Sequence, residues 1–202
     1  MWTQVLRNYP TDDLALAHRG IFRAKTGNID GAQNDFELAI KDGCNRSDIY
    51  ENIGNVYNML GNDNVSERKM FEKKAILMFE KALDLDPESG SIYFNLGISL
   101  INSDSNAAET ALKNALKLMP YNEIRILRPL GESQLNGGKF SDAIASFTKA
   151  IGLGVKTEEI FYYRGLSYIG LGDVEKAKND LKAALLINPD NNQTRSVLSQ
   201  IK

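Results

Sequence analysis

A glycine returns along the chain at Gly20, Gly54, Gly97, Gly131 and Gly165, spaced 34, 43, 34 and 34 residues apart. Behind each glycine come two alanines seven residues apart: Ala32/Ala39, Ala75/Ala82, Ala108/Ala115, Ala143/Ala150 and Ala177/Ala184. Between the alanines of each pair stands one bulky residue, Phe36, Phe79, Leu112, Phe147 or Leu181. A period in this range marks a solenoid, whose units bury their apolar faces only by stacking on one another. It makes the 202 residues one elongated domain, where length alone suggests one or two globular ones.

Within each unit the apolar residues follow helical spacing in two blocks. In the last unit Ile160, Phe161, Arg164, Gly165 and Tyr168 form a first helix, and Gly172-Asp173 makes the turn. Val174, Ala177, Leu181, Ala184 and Leu185 then line a second helix, which Asn188-Pro189 stops. Small residues let the two helices approach, and the bulky residue fills the space that remains. The pairs Gly27-Asn28, Gly61-Asn62 and Gly172-Asp173 are expected to end first helices. Pro10, Pro87, Pro120 and Pro189 are expected to end second helices, since proline cannot continue one.

This dispersed set of glycine, two alanines, an aromatic or leucine and often a closing proline resembles the tetratricopeptide repeat. The resemblance implies an all-α, right-handed superhelical solenoid of antiparallel helix pairs. It places a half-repeat at 1–12, repeats at about 13–46, 47–89, 90–122, 124–157 and 158–191, and a capping helix at 192–202, where Val197, Leu198 and Ile201 could cover the last repeat. Because the pattern opens inside a repeat, a longer array is also expected.

Two places depart from the pattern. The insertion at 62–74 reads as a backward extension of the second helix with Ser66 as N-cap and Phe71 on the packing face. Its alternatives are a protruding docking element with Met70 or Phe71 exposed, or a loop without regular structure. Pro129 falls where a helix interior should be, which predicts a helix that starts late, near Arg128, over one that kinks.

Composition narrows the function. A net charge of −2 argues against nucleic acid as the partner, whose binding rests on many Lys and Arg contacts. No apolar run approaches the roughly 20 residues of a membrane span. The opening MWTQVLRNYP lacks the apolar stretch of a signal peptide, which points to the cytoplasm unless the chain is a piece of a longer protein. His18 is the only histidine and Cys44 the only cysteine, so no Cys-His dyad or histidine metal set is available. Neither catalysis nor a cofactor nor a metal is expected. Asp12-Asp13 and Glu158-Glu159 precede or open first helices, where the helix dipole favours negative charge. His18 is expected to face the groove without acting as a ligand.

In this family the first helices line a concave groove, and the resemblance implies which residues face it. They include Asn52, Asn55 and Asn58 with Asp48 and Glu51, then Phe94, Asn95 and Asn102, then Arg125, Arg128 and Glu132, and finally Tyr162 and Tyr163. Of these, Asn52, Asn55, Phe94, Asn95, Asn102, Arg125, Arg128, Tyr162 and Tyr163 form the candidate peptide-binding set. Asparagine both donates and accepts, and so can pair with an extended backbone. The arginines could hold a carboxylate, and Phe94 and Tyr162 could anchor side chains. The expected function is a protein-interaction scaffold that takes a peptide segment or partner helix, in the assembly of a complex. Two alternatives stand beside it. One is a structural segment of a longer or self-associating array, with contacts through its ends around Trp2 and Ile201 or on the convex face. The other is a co-chaperone clamp for a chaperone C-terminus, which Asn55, Asn95 and Arg125 would serve. That clamp meets Glu51 where it wants lysine and Pro129 where it wants arginine.

Overall fold

The structure, a computed structural model, describes residues 2–41, 44–63 and 65–201. Asn64 of the 62–74 insertion lies outside the described residues. The described residues form twelve α-helices and no strand, grouped in two compact units, Met1–Ser99 and Leu100–Lys202.

The first unit holds α1 (Trp2–Asn8), α2 (Asp13–Lys25), α3 (Ile29–Ile40), α4 (Ser47–Asp63), α5 (Arg68–Leu85) and nearly all of α6 (Gly90–Leu100). Its hairpins pair α2 with α3 and α4 with α5, and α2 packs on α4. In the second unit α7 (Ser105–Leu118) leads through a single 3-10 turn at Pro120–Asn122 into α8 (Glu123–Asn136). Then follow α9 (Phe140–Gly152), α10 (Glu158–Gly170), α11 (Val174–Ile187) and α12 (Asn192–Gln200). Here α8 pairs with α9, α10 with α11, and α10 also packs on α8 and α9.

Side chains close several helix starts. Asp12 accepts from the Ala15 N–H at 2.7 Å, Asn28 from Gly31 at 3.0 Å, Asp104 from Ala107 at 3.0 Å and Asp173 from Lys176 at 3.2 Å. Gly27, Gly138 and Gly172 turn the chain between paired helices at φ of 84°, 71° and 77°, where a side chain would strain the backbone. Pro10, Pro87, Pro120 and Pro189 each stand two residues beyond the end of α1, α5, α7 and α11.

The glycine ladder is a set of notches. A Cβ on Gly20 would lie 2.5 Å from Phe36, on Gly54 2.7 Å from Phe79 and on Gly131 2.7 Å from Phe147. On Gly165 it would meet Leu181 at 3.2 Å. These bulky residues are fully buried, and so are all ten ladder alanines. Burying each Phe contributes roughly 2–3 kcal/mol.

Three expectations need correction. Gly61-Asn62 does not end a helix: α4 runs on to Asp63, and a Cβ on Gly61 would lie 3.4 Å from that of Phe71. Ser66 is not the N-cap of α5, which begins at Arg68 behind Glu67. The insertion instead lengthens both helices of its hairpin around Phe71, which is 0% exposed and stacks on Tyr57 at 6.2 Å, while Met70 is half in solvent. Pro129 does not delay α8, which starts at Glu123 and passes through it. Proline has no N–H for the Arg125 carbonyl four residues back, so one helical bond is given up. The ring is buried in return, in a helix packed against α7, α9 and α10.

Candidate functional site

The candidate residues divide between the units. In the first, α4 and α6 carry Asn52, Asn55, Phe94 and Asn95. Their inward positions are taken by Ile49, Ile53 and Val56 on α4 and by Ile92 and Leu96 on α6, all buried, which turns the polar residues outward. Asn52 and Asn55 are exposed, and Phe94 is half-buried. Asn95 is already engaged: its amide donates to Glu51 Oε1 at 3.1 Å. Asn58 and Ser99 likewise exchange hydrogen bonds at 2.9 and 3.1 Å. Part of the asparagine row therefore ties α4 to α6, and only Asn52 and Asn55 keep the exposure of a binding row.

In the second unit Asn102 and Arg125 are exposed, and the structure brings Arg128, Glu132 and Tyr163 together. Arg128 Nη1 donates to Glu132 Oε2 at 3.0 Å along α8. Desolvation raises the Glu132 carboxyl above its ordinary value, against the pull of Arg128. Tyr163 stacks on Phe147 at 6.1 Å and is raised by burial first, then by Glu132. The cluster can offer a guanidinium edge, a carboxylate and a phenol to a ligand, all held by packed helices.

Tyr162 is not an open anchor. It is 8% exposed, sits with Leu181 and Ala184 in the core, and is covered by Val197, Leu198 and Ile201 of the C-terminal segment. Gln193 of α12 lies beside its hydroxyl. Nor does His18 face a ligand surface: it stacks on Trp2 with ring centroids 4.5 Å apart. Cys44 lines a cleft of about 260 Å³ with Asp12, Asp13, Leu38 and Asn45. Its thiol donates to Asp13 Oδ2 at 3.3 Å and is pushed up to about 11, by burial and then by that bond. At neutral pH it stays protonated, without the thiolate that makes cysteine reactive.

A feature the ladder did not disclose is a buried ion pair written twice. Asp35, 0% exposed, takes Arg19 through both its oxygens at 2.9 and 2.6 Å, and Arg23 at 2.8 Å. Asp180 takes Arg164 at 2.7 Å through each oxygen. In both cases arginine directly precedes the ladder glycine and aspartate directly precedes the bulky residue. That recurrence was the readable signal. A second network ends on Glu109, 4% exposed, which accepts from Gln134 at 3.1 Å and pairs with Lys113 at 2.8 Å and Lys139 at 2.5 Å.

Among the described residues no helix is long and apolar enough to cross a membrane. A family profile described as Tetratricopeptide repeat matches residues 158–191. Protein CTR9 homolog of Arabidopsis thaliana is 27% identical over 76% of this chain and 14% of its own length. BBSome complex member BBS4 of Bos taurus is 31% identical over 59% of this chain and 23% of its own. This chain thus spans less than a quarter of either relative. YrrB, a solved TPR protein with an unusual peptide-binding site, superposes with a TM-score of 0.80 at 23% identity, over 98% of this chain and 97% of its own. The matched repeat at 158–191, the helix pairs and notches that recur before it, and a fold shared with YrrB along nearly the whole length give this chain the fold of a tetratricopeptide repeat protein.

Proposed function

We propose that the chain is a protein-interaction scaffold that holds a peptide segment or helix of a partner on the outward faces of its first helices. The observation that carries this reading is the contrast along those helices. The inward positions are apolar and buried, while Asn52 and Asn55 on α4, and Arg125 and Arg128 on α8, stand in solvent on rigid supports. In the first unit Asn52 and Asn55 would pair with a partner's backbone beside the half-buried ring of Phe94. In the second, Arg128 with Glu132 and Tyr163 would receive a polar or acidic group. The names of similar proteins support the class: one is a member of a complex, another has a peptide-binding site. The co-chaperone reading is weaker, because Glu51 occupies the amide of Asn95 that the clamp would need.

Site-specific photocrosslinking in the native cell tests the proposal. A crosslinker at Asn55 or Arg128 should capture a partner, and one at Glu80 on the exposed side of α5 should not. Capture only from Glu80 overturns the reading.

A further inference from the structure

The helices α2, α4, α6 and α10 each begin seven residues before their ladder glycine, on Asp13, Ser47, Gly90 and Glu158. Helix α8 begins one residue earlier, on Glu123 behind the 3-10 turn at Pro120–Asn122, and so puts Ile124 at that place. The other starts are polar or glycine. Ile124 is 49% exposed, a β-branched side chain in a first turn with little burial in return. Arg125 follows, where the other helices carry Leu14, Asp48, Ser91 and Glu159, and a cation in the first turn opposes the helix dipole. On the 3-10 turn itself Tyr121 is fully exposed. Neither burial nor the helix dipole favours these three choices.

They share one edge of the second unit. The 3-10 turn packs on both α7 and α8, so Leu118, Tyr121 and Ile124 follow one another across it at steps of three residues. The end of α9 lies beside the start of α8, where Lys149 pairs with Glu123. Lys117, Arg125 and Lys149 are exposed around the apolar residues, and the turn behind α9 adds Lys156. In the stretches 117–126 and 149–157 Glu123 is the one carboxylate, and Lys149 already holds it. The next carboxylate, Glu158, accepts from the Asn191 amide at 2.5 Å. The whole chain carries a net charge of −2, so this cationic, apolar edge runs against its average. Helices precede and follow it in the sequence, α7 before and α9 to α12 after, so its exposure does not arise at an end of the chain.

We propose that this edge docks an acidic segment of a partner protein, with apolar residues of the segment on Tyr121 and Ile124 and its carboxylates toward Lys117, Arg125 and Lys156. The excess of lysine and arginine over carboxylate selects the charge of the occupant. The exposed tyrosine and isoleucine select its apolar anchors, as aromatic residues do at the centre of interfaces. An acidic group at this place also meets the positive end of the α8 dipole, which Arg125 opposes. The outward faces above are centred on Asn52, Asn55 and Arg128, whereas this edge is centred on Tyr121 and Ile124. The two readings therefore fail separately.

The probe is a fluorescein-labelled peptide in which leucine and phenylalanine stand among glutamates, titrated with the full chain in fluorescence anisotropy. It should bind saturably and more weakly as salt is raised, and a version with lysine for glutamate should not bind. Tyr121→Ser combined with Ile124→Ser, the second copying Ser47, should weaken binding at least tenfold, and Tyr121→Phe alone should retain it. Circular dichroism should show the double variant folded, because neither side chain is buried. Hydrogen exchange on the unaltered chain should show the probe adding protection at the start of α8. Absent binding, equal binding by the double variant, or equal binding of the lysine peptide overturns the proposal. Protection on α4 and α6 in place of α8 overturns it while leaving the outward-face reading standing. Two further results overturn it by naming another occupant. One is binding to vesicles of phosphatidylserine and phosphatidylcholine, without the peptide, that the double variant loses. The other is a dimer of the full chain that the double variant dissolves in sedimentation.

Discussion

Asp35 and Glu109 are carboxylates held in the interior by cations, and they respond to different perturbations. Asp35 is bound by two guanidiniums whose side chains remain 22% and 31% exposed. Asp35→Ala should cost about 3 kcal/mol, the low end for a broken buried pair, because both arginines can turn to water. Arg19→Ile with Asp35→Met, copying Ile53 and Met78, should recover most of it in urea unfolding. Glu109 responds to acid. Desolvation pushes its carboxyl up, but hydrogen bonds from Lys113, Lys139 and Gln134 together outweigh that and hold it at about 2, below its ordinary 4.5. A carboxyl depressed in the folded state stabilises above its unfolded value and loses that contribution as pH falls through the folded one. Stability on the order of 3 kcal/mol should therefore drain away between about pH 4.5 and 2. Glu109→Gln should flatten that part of the stability profile measured by urea titration at stepped pH.

At the scale of the helix pair, the notches differ in depth. Alanine at Gly131 would drive a Cβ to 2.7 Å from the buried ring of Phe147, whereas at Gly165 it would meet Leu181 at 3.2 Å. Alanine is favoured over glycine in a helix by about 1 kcal/mol, so Gly165→Ala should be nearly neutral. Gly131→Ala should lose about 1–3 kcal/mol to overpacking, recovered by adding Phe147→Leu. Thermal melting of the three variants checks the order. This level of the fold was legible because a notch and its filler recur at fixed spacing along one short hairpin. Pro129 and Gly61 misled for the complementary reason: local preference ends a helix at each, but packing overrides it. The buried Pro129 ring holds α8 together across a missing bond, and Phe71 carries α4 past Gly61. The engaged amide of Asn95 was illegible for another reason, since its partner Glu51 lies 44 residues away on another helix.

At the scale of the whole chain, each unit depends on what covers its outermost helix pair. Tyr162 reads as an exposed anchor until α12 is placed over it, and no local pattern around Tyr162 reveals that cover. Deleting residues 192–202 should uncover Tyr162, Leu181 and Ala184, lower the melting temperature by several degrees, and remove amide protection from α10 and α11. If protection there persists, the C-terminal segment is only an appendage.

The twice-written arginine–aspartate pair also bears on how such a chain assembles. A molecule of near-identical hairpins can mate a first helix with the wrong second helix, since every notch accepts a similar filler. The residue before the filler is Asp35 or Asp180 in two hairpins, but Met78, Ala111 or Ser146 in the other three. A strayed α2 or α10 would bring its arginine against a partner with no carboxylate, at a cost of several kcal/mol. Correct mating carries no such cost. The two pairs would thus set α2 and α10 apart from the other first helices, which sterics alone would confuse, though not from each other.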